Sequence, residues 1–340
     1  MTSEYVTLGH PDRTADYISE YILDRYLEQD PYTRYALEVQ VKDNFVTLGG
    51  EITSKANFNY AEIIQFVQNA LNEIGYTHEY AKKWGEGNTI DPERVFVVQN
   101  ISQQSTDIGQ GVDNSGWGDQ GIFWGMAVND KETCYMPKDH YLARKIGEML
   151  YANRYGGLDI KTQVTMKDGK VTKVVVAIPM LEENESVGKS TVESLVKSIC
   201  GSDCEIIVNG TGRYVRHSSM GDCGTTGRKL AVDFYGGNCR IGGGSPWTKD
   251  PTKADLTLNL YARKKALEYM LSHNLQECHT QIECCIGRKD ITIEYYDGHM
   301  NLLDTEYEDK SCDAIIEEFG LRNPIYTQLE KDGLFSTINN

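Results

Sequence analysis

The sequence lacks the long apolar segments that indicate a membrane protein. No stretch approaches the roughly 20 apolar residues that a membrane helix needs. The first residues, MTSEYVTLGHPDR, contain no basic segment followed by an apolar run, so no secretory signal is expected. We therefore predict a cytoplasmic protein with no membrane partner.

Basic residues are scarce as well. The chain of 340 residues has 34 Lys and Arg against 50 Asp and Glu, and its formal net charge is −16. This balance disfavours a nucleic-acid partner, because phosphate backbones bind basic surfaces. An acidic protein can still bind a small anion, provided that Lys, Arg, His and divalent metal are concentrated locally.

Paired cysteines at regular spacing are also absent. The nine cysteines are scattered and form no C-x2-C pair, which excludes the usual zinc-site spacings. We predict reduced, mostly structural thiols. No Ser-His-Asp or Cys-His signature stands out, and no G-x-G-x-x-G follows a strand. His10 is the only one of seven histidines in a promising context.

The chain does show the order helix, β-hairpin, helix three times. Apolar residues at helical spacing predict the helices, and strand-like runs around short polar turns predict the hairpins. The predictions are helix 11–29, strands 34–41 and 44–53 and helix 59–76; helix 139–150, a hairpin around Asp168-Gly169 and helix 190–200; helix 250–271, a hairpin around Arg288-Lys289 and helix 312–320. We therefore predict an α+β fold of three similar units, placed at 1–107, 108–215 and 216–340.

Three segments concentrate phosphate-binding chemistry, and the first is residues 9–13 at the start of the first helix. A helix N-terminus attracts anions, to which His10 and Arg13 can add donors, while Asp12 could hold a metal. The alternative is an ordinary capped helix start.

The second segment, residues 221–229, offers close backbone approach at its glycines, a carboxylate at Asp222 and the adjacent cations Arg228 and Lys229. It is not a P-loop, because G-x4-G-K-[ST] is absent. The alternative is a glycine-rich turn before a strand that begins at Leu230.

The third segment, residues 242–255, carries Lys249 and Lys253 on one face if a helix begins there, with Asp255 nearby as a cation ligand. The alternative is a solvated charged face. A further polar loop punctuated by glycines, residues 101–121, could act as a lid. Its alternative is a disordered connector.

Together these segments resemble the S-adenosylmethionine synthetase (methionine adenosyltransferase) family, in the same chain order. The matching motifs are Gly9-His-Pro-Asp12, Gly50-Glu-Ile-Thr53, Gln104-Ser-x-Asp107, Gln110-Gly-Val-Asp113, Gly118-Asp-Gln-Gly121, Thr211-Gly-Arg213, Gly221-Asp-Cys-Gly-x-Thr-Gly-Arg-Lys229, Tyr235-Gly-Gly237, Gly242-Gly-Gly244 and Lys249-Asp-Pro-x-Lys253. The resemblance runs from about Ser3 to Lys253, with a looser continuation to Phe335.

The resemblance implies three α+β units around a pseudo-threefold axis and an active site formed between two subunits. It implies a homodimer at minimum, and a homotetramer assembled as a dimer of dimers. The implied substrates are ATP and L-methionine. Methionine sulfur attacks C5′ of ATP, and the released triphosphate is cleaved to pyrophosphate and phosphate. A neutral sulfur nucleophile needs no general base, so catalysis rests on positioning and on stabilising phosphate charge.

The site residues below are implied by the same resemblance. For ATP they are His10, Asp159, Lys161, Arg213, Tyr214, Asp222, Arg228, Lys229, Ser245 and Lys249, of which His10, Lys161, Arg228 and Lys249 are catalytic. For methionine they are Glu51, Gln104, Asp222 and Lys253, and Asp119 lines the pocket. Two Mg²⁺ ions per site match Asp12 and Asp255, K⁺ matches Glu38, and the lid contains Gln104, Asp107 and Asp113.

Some residues depart from the family pattern. Arg13 replaces a customary Lys, Tyr214 replaces Phe, and Ser245-Pro-Trp-Thr248 replaces Ala-Phe-Ser-Gly beside the adenine. All the implied charged residues are present, which predicts an active enzyme. Two alternatives remain open: a catalytically inactive regulatory homologue, and a tripolyphosphate or nucleotide hydrolase.

Overall fold

The computed structural model describes residues 1–103 and 116–338, which form three four-stranded sheets and the helices that pack on them. The strands are β1 (Thr2–Val6), β2 (Arg34–Lys42), β3 (Phe45–Thr53), β4 (Phe96–Ser102), β5 (Gly121–Val128), β6 (Lys161–Lys167), β7 (Lys170–Ala177), β8 (Glu205–Val208), β9 (Gly224–Thr225), β10 (Glu277–Cys284), β11 (Asp290–Tyr296) and β12 (Leu302–Asp309). The α-helices are α1 (Pro11–Gln29), α2 (Tyr60–Ile74), α3 (His78–Trp84), α4 (Lys138–Ala152), α5 (Glu185–Cys200), α6 (Leu230–Asp233), α7 (Ala254–Ser272), α8 (Cys312–Phe319) and α9 (Tyr326–Asp332). None of these helices is long and apolar enough to cross a bilayer.

Each sheet is built around one of the three predicted hairpins. The strand orders are β4-β3-β2-β9, β1-β6-β7-β8 and β12-β11-β10-β5, with β2/β3, β6/β7 and β10/β11 paired antiparallel. This confirms the α+β fold of three units. Strands from distant parts of the chain complete the sheets, since β1 pairs with β6 and β5 pairs with β10. The unit boundaries at 107 and 215 remain a prediction.

Helix α1 occupies the predicted residues, and it is buried on nearly every side. Pro11 suits the first turn, where its missing N–H costs nothing, and His10 caps the helix. Neighbours of α1 include α2, β2 and α9. The start of α1, with His10 and Asp12, is thereby fixed inside the molecule rather than on its surface.

Two sequence predictions are wrong, and both concern the segment from residue 230 to residue 254. Residues from Leu230 begin the short helix α6 rather than a strand, and the chain then turns at Gly236 with φ 64°. Helix α7 begins at Ala254 rather than at residue 250. The reason is Asp250, whose carboxylate accepts hydrogen bonds from Thr252 N–H and Oγ1 and so stabilises a turn in place of the first helical residues.

Candidate functional site

The start of α1 and the loop at 221–229 meet at one carboxylate. Asp12 Oδ1 accepts from Thr225 N–H at 2.9 Å, and Oδ2 accepts from Lys229 Nζ at 2.5 Å. The Arg228 guanidinium lies 3.6 Å from Oδ1. Asp12 itself is buried, whereas Arg228 is half exposed. We call His10, Asp12, Lys161, Arg228 and Lys229 the first cluster.

His10 is held as a neutral hydrogen-bond donor in this cluster. Its Nδ1 accepts the backbone N–H of Asp12 at 3.1 Å, so the ring proton resides on Nε2. Burial lowers the pKa of His10 to about 2, and the nearby charges of Lys161 and Lys229 act in the same direction. The imidazole therefore stays neutral at physiological pH and offers one N–H among several cations.

A pocket of about 400 Å³ lies beside the first cluster. The sequence-predicted residues that line it are Asp159, Lys161, Arg213, Tyr214 and Asp222. Burial raises the pKa of Asp159 to about 6, although Lys161 and the N–H of Ser218 oppose the shift. Arg213 is exposed and its Nε donates to Glu182 at 2.6 Å.

Arg13 does not contribute a donor to this site, contrary to the sequence interpretation of residues 9–13. Its side chain is buried, its Nη1 donates to Asp233, and its Nη2 donates to the Glu330 carbonyl oxygen at 3.0 Å. Burial also raises the pKa of Asp16, Asp233 and Glu330 around it. Arg13 therefore contacts the buried acidic residues Asp233 and Glu330 and does not face the site where an anion would bind.

A second group of charged residues follows the glycine triplet. Lys249 Nζ donates to Asp255 Oδ2 at 2.5 Å, and Lys253 Nζ lies 3.5 Å from Asp250 Oδ2. A Cβ on Gly244 would lie 1.9 Å from the Asp255 carboxylate, so a side chain there would displace the carboxylate from this position. Because α7 begins at Ala254, the two lysines do not share a helical face as predicted. We call Lys249, Lys253 and Asp255 the second cluster.

Two further predicted residues lie close to the second cluster. Lys249 pairs with Ala36 on β2, and Glu51 on β3 pairs with the same Ala36 from the other side. Burial is the main cause of the raised pKa of Cys284, and the nearby charges of Asp119 and Asp255 raise it further. Glu51, on β3, and Asp119, in the segment just before β5, therefore lie near the second cluster.

Glu38 connects the loops that carry the two clusters. Thr226, in the 221–229 loop, donates to Glu38 Oε2, and Thr248, beside Lys249, donates to Oε1 at 3.3 Å. Gly227 and Ser245 approach each other at the same junction, where a Cβ on Gly227 would lie 3.2 Å from Ser245 Cβ. Glu38 thus fixes the relative position of both loops.

Gln104, Asp107 and Asp113 lie outside the described residues. Within residues 1–103 and 116–338, the ion pairs of the first cluster involve Asp12, and those of the second cluster lie in the turn at 249–255. None of these ion pairs joins one cluster to the other. The same residues contain no group of three His, Cys, Asp or Glu side chains able to hold a metal alone.

The arrangement is suited to binding a polyphosphate. The first cluster supplies a neutral N–H donor and three cations, and the second supplies two more cations. Asp12 and Asp255 each offer carboxylate oxygens of the type that Mg²⁺ shares with substrate phosphates. Two isolated carboxylates, rather than a complete protein cage, are consistent with metals bound together with a phosphate chain.

Comparisons with known proteins agree with the geometry. The N-terminal, central and C-terminal domain profiles of S-adenosylmethionine synthetase match residues 1–106, 114–214 and 217–339. The S-adenosylmethionine synthase of Oleidesulfovibrio alaskensis is 35% identical over 315 residues, which cover 85% of this chain and 78% of that protein. A solved structure described as an unusual S-adenosylmethionine synthetase from Campylobacter jejuni superposes with a TM-score of 0.89 at 30% identity, over 99% of this chain and 94% of that one.

Proposed function

The chain belongs to the S-adenosylmethionine synthetase family and is a methionine adenosyltransferase, and from this premise we propose how its residues carry out the reaction. Methionine sulfur attacks C5′ of ATP, the C5′–oxygen bond breaks, and the triphosphate leaves as one unit. The triphosphate is then hydrolysed to pyrophosphate and phosphate at the same site.

The observation that carries this proposal is the neutral His10 N–H among the cations of the first cluster. Charge develops on the oxygen that bridges C5′ and the triphosphate as the bond breaks. A fixed donor and nearby cations stabilise such charge without reorganising during the reaction. In this proposal His10 Nε2–H donates to that oxygen, while Lys161, Arg228, Lys229 and Lys249 neutralise the phosphate chain.

The carboxylates of Asp12 and Asp255 would hold Mg²⁺, and Glu38 would hold K⁺. The donor set fits these ions, because hard cations prefer oxygen ligands and Mg²⁺ is usually bound by one or two carboxylates plus phosphates. When bound, Mg²⁺ supplies charge that offsets the negative charge of the triphosphate. Lys229 and Lys249 contact the same carboxylates, so they would stay within reach of the phosphate oxygens next to each metal.

The remaining residues would position the nucleophile and the nucleoside. Glu51, Gln104 and Lys253 contact methionine in this proposal, and Asp222 accepts from its ammonium group. Asp159, Arg213, Tyr214 and Ser245 line the adenosine side, with Asp119 at the edge of the pocket. Residues 104–113 would close over both substrates.

Two copies of the chain would complete one active site. The support is an apolar patch on the outer face of the β2–β4 sheet. The rings of Phe45 and Phe96 are paired there with centroids 5.4 Å apart, and each is more than half exposed. Paired exposed aromatic rings favour burial against another protein surface. We propose a homodimer at minimum, which can pair into a tetramer.

One assay tests the proposed reaction against its alternatives. The protein is incubated with ATP, methionine, Mg²⁺ and K⁺, and S-adenosylmethionine is measured by chromatography beside phosphate release. Matched reactions omit methionine. Formation of S-adenosylmethionine that depends on methionine supports the proposal. Phosphate released equally without methionine indicates a hydrolase, and neither product indicates an inactive homologue.

A further inference from the structure

A second cavity, of about 710 Å³, lies away from both clusters. Its lining includes Cys239, in the segment that follows α6, and Glu277 and His279 on strand β10. None of these three residues belongs to the proposed polyphosphate site. No local motif predicts this group, because the cysteine and the histidine lie 40 residues apart in the chain.

The three side chains form an ordered chain of contacts. His279 Nε2 lies 2.7 Å from Glu277 Oε1, and His279 Nδ1 lies 3.4 Å from Cys239 Sγ. Because an ionised carboxylate can only accept, the ring proton resides on Nε2 and leaves Nδ1 free to accept the thiol proton. A nucleophile, a base and a group that orients the base are thus in sequence, as in activated cysteine sites.

The environment makes His279 necessary for any reaction of the thiol. Burial raises the pKa of Cys239 to about 12, and the charge of Glu277 adds to the shift. The thiol is therefore protonated at neutral pH, and only a base in contact with sulfur can remove the proton as a new bond forms. His279 is itself buried, which fixes its ring between the two partners.

The cavity also presents cations to an incoming molecule. Lys138 and Arg240 line it, and the Arg240 guanidinium is held 5.2 Å above the ring of Trp124. The nearby Asp139 carboxylate already accepts from Ser3 Oγ at 2.8 Å. Asp139 and Asp168 also line the cavity, but Arg240 adjoins Cys239 in the chain, so the positive charge next to the sulfur favours a reagent that carries carboxylates.

We propose that Cys239, His279 and Glu277 form a thiol site that reacts with low-molecular-weight disulfides carrying carboxylate groups. His279 Nδ1 takes the Cys239 proton while Sγ attacks one sulfur of the disulfide. The disulfide bond of the reagent breaks, a mixed disulfide with Cys239 forms, and the departing thiolate takes the proton from His279. The reagent is reduced to one thiol, Cys239 is oxidised, and a second thiol reverses the modification.

Glutathione disulfide is a suitable probe of this site. The protein is incubated with it at neutral pH, and modification of each cysteine is followed over time by peptide mass spectrometry. Cys134 and Cys285 are exposed and serve as internal references in the same molecule. The expected result is faster modification of Cys239 than of either reference. A Cys239 rate equal to or below theirs would overturn the proposal.

Variants separate base catalysis from simple accessibility. His279→Gln should slow modification of Cys239 by about 100-fold, the lower range for general-base catalysis, while the Cys134 rate stays unchanged. Glu277→Gln should have a smaller effect, because the amide keeps an acceptor for His279 Nε2–H and only the negative charge beside the imidazole is lost. Thermal unfolding of each variant checks that it is folded. An unchanged Cys239 rate in His279→Gln would contradict the role of His279.

The choice of reagent tests the cations. Arg240→Met should slow the reaction with glutathione disulfide but not with uncharged hydroxyethyl disulfide. If the substitution leaves the rate with glutathione disulfide unchanged, the cavity does not select carboxylates.

Discussion

Lys229 Nζ donates to Asp12 Oδ2 at 2.5 Å, so a cation assigned to the phosphate chain contacts a carboxylate assigned to a metal. The same relationship recurs in the second cluster, between Lys249 and Asp255. Each pair places one positive charge and one metal ligand at a single point, where a phosphate oxygen could bind both. Loss of the carboxylate should therefore affect the metal requirement first.

Asp12→Asn tests this assignment. The amide keeps the shape and an acceptor for Thr225 N–H but loses the charge that favours Mg²⁺. We expect the Mg²⁺ concentration for half-maximal S-adenosylmethionine formation to rise at least about tenfold, equivalent to about 1.4 kcal/mol. Asp203→Asn, at an exposed position, is the matched control. An unchanged Mg²⁺ requirement in Asp12→Asn would exclude Asp12 as a ligand.

His10→Asn should separate the two chemical steps. Asparagine is a good N-cap and retains an acceptor for the Asp12 N–H, so the start of α1 should persist. The donor to the C5′ oxygen is lost, and S-adenosylmethionine formation should fall by about 100-fold, as for removal of one oxyanion donor. Hydrolysis of added tripolyphosphate, measured separately, should fall much less. Equal losses in both reactions would contradict the role given to His10.

Asp159 predicts a pH dependence of ATP binding. Burial raises its pKa to about 6, so the carboxylate becomes protonated as the pH falls through that value. A protonated carboxyl accepts hydrogen bonds poorly, and the KM for ATP should rise below pH 6. The Asp159→Asn variant should have a raised KM for ATP that does not change with pH across this range. Steady-state kinetics between weakly acidic and neutral pH measure both, and a wild-type KM that stays constant would refute the assignment.

Local sequence signals predicted much of the framework. Helix α1 has the predicted limits, and the β6–β7 hairpin turns at Asp168-Gly169, where both residues adopt positive φ. Such turns are determined by residues adjacent in the chain. The pairing of β5 with β10 depends on contacts about 150 residues apart and left no comparable signal.

In the candidate site, too, local motifs were predictable from the sequence, whereas contacts between distant residues were not. The charged motifs identified the residues of both clusters before any geometry was known, through the family resemblance. The orientation of Arg13 was not predictable, because its partners Asp233 and Glu330 lie 220 and 317 residues along the chain. The contact between Cys239 and His279 is hidden for the same reason.

The buried carboxylates around Arg13 predict how stability depends on pH. Burial, with the charges of Glu20 and Asp233, raises the pKa of Glu330 well above its ordinary value, although Arg13 opposes the shift. Between about pH 4.3, the ordinary glutamate pKa, and the raised pKa, the folded protein therefore binds more protons than the unfolded chain. The stability contributed by this proton is fully present below the ordinary pKa and is lost as the pH rises through the raised pKa.

Glu330→Gln should make this loss of stability shallower. Removing one titrating group reduces the slope of unfolding free energy against pH by up to about 1.4 kcal/mol per pH unit. Urea unfolding at several pH values measures the slope. Glu183→Gln, at an exposed position, should retain the wild-type slope. A Glu330→Gln slope identical to the wild type would show that Glu330 does not bind the proton.

Mixed dimers test whether one active site draws its clusters from two copies. His10→Asn disables the first cluster, and Asp255→Asn disables the second. In a dimer that contains one copy of each, one site receives both defects and the other receives neither. If each site combines both copies, isolated mixed dimers of two individually inactive variants should regain about half of the wild-type activity.

The two variants can be produced together with different affinity tags, so that sequential purification isolates the mixed dimer. A matched control pairs His10→Asn with Asp12→Asn, and all dimers are assayed at a Mg²⁺ concentration that supports the wild type but neither carboxylate variant. Both changes lie in the first cluster, so every site of that dimer is defective and no activity should return. If both clusters of one chain served the same site, neither mixture would recover activity, because each copy would carry a defective site of its own. Recovery in the first mixture alone therefore requires that the first cluster of one copy act with the second cluster of its partner.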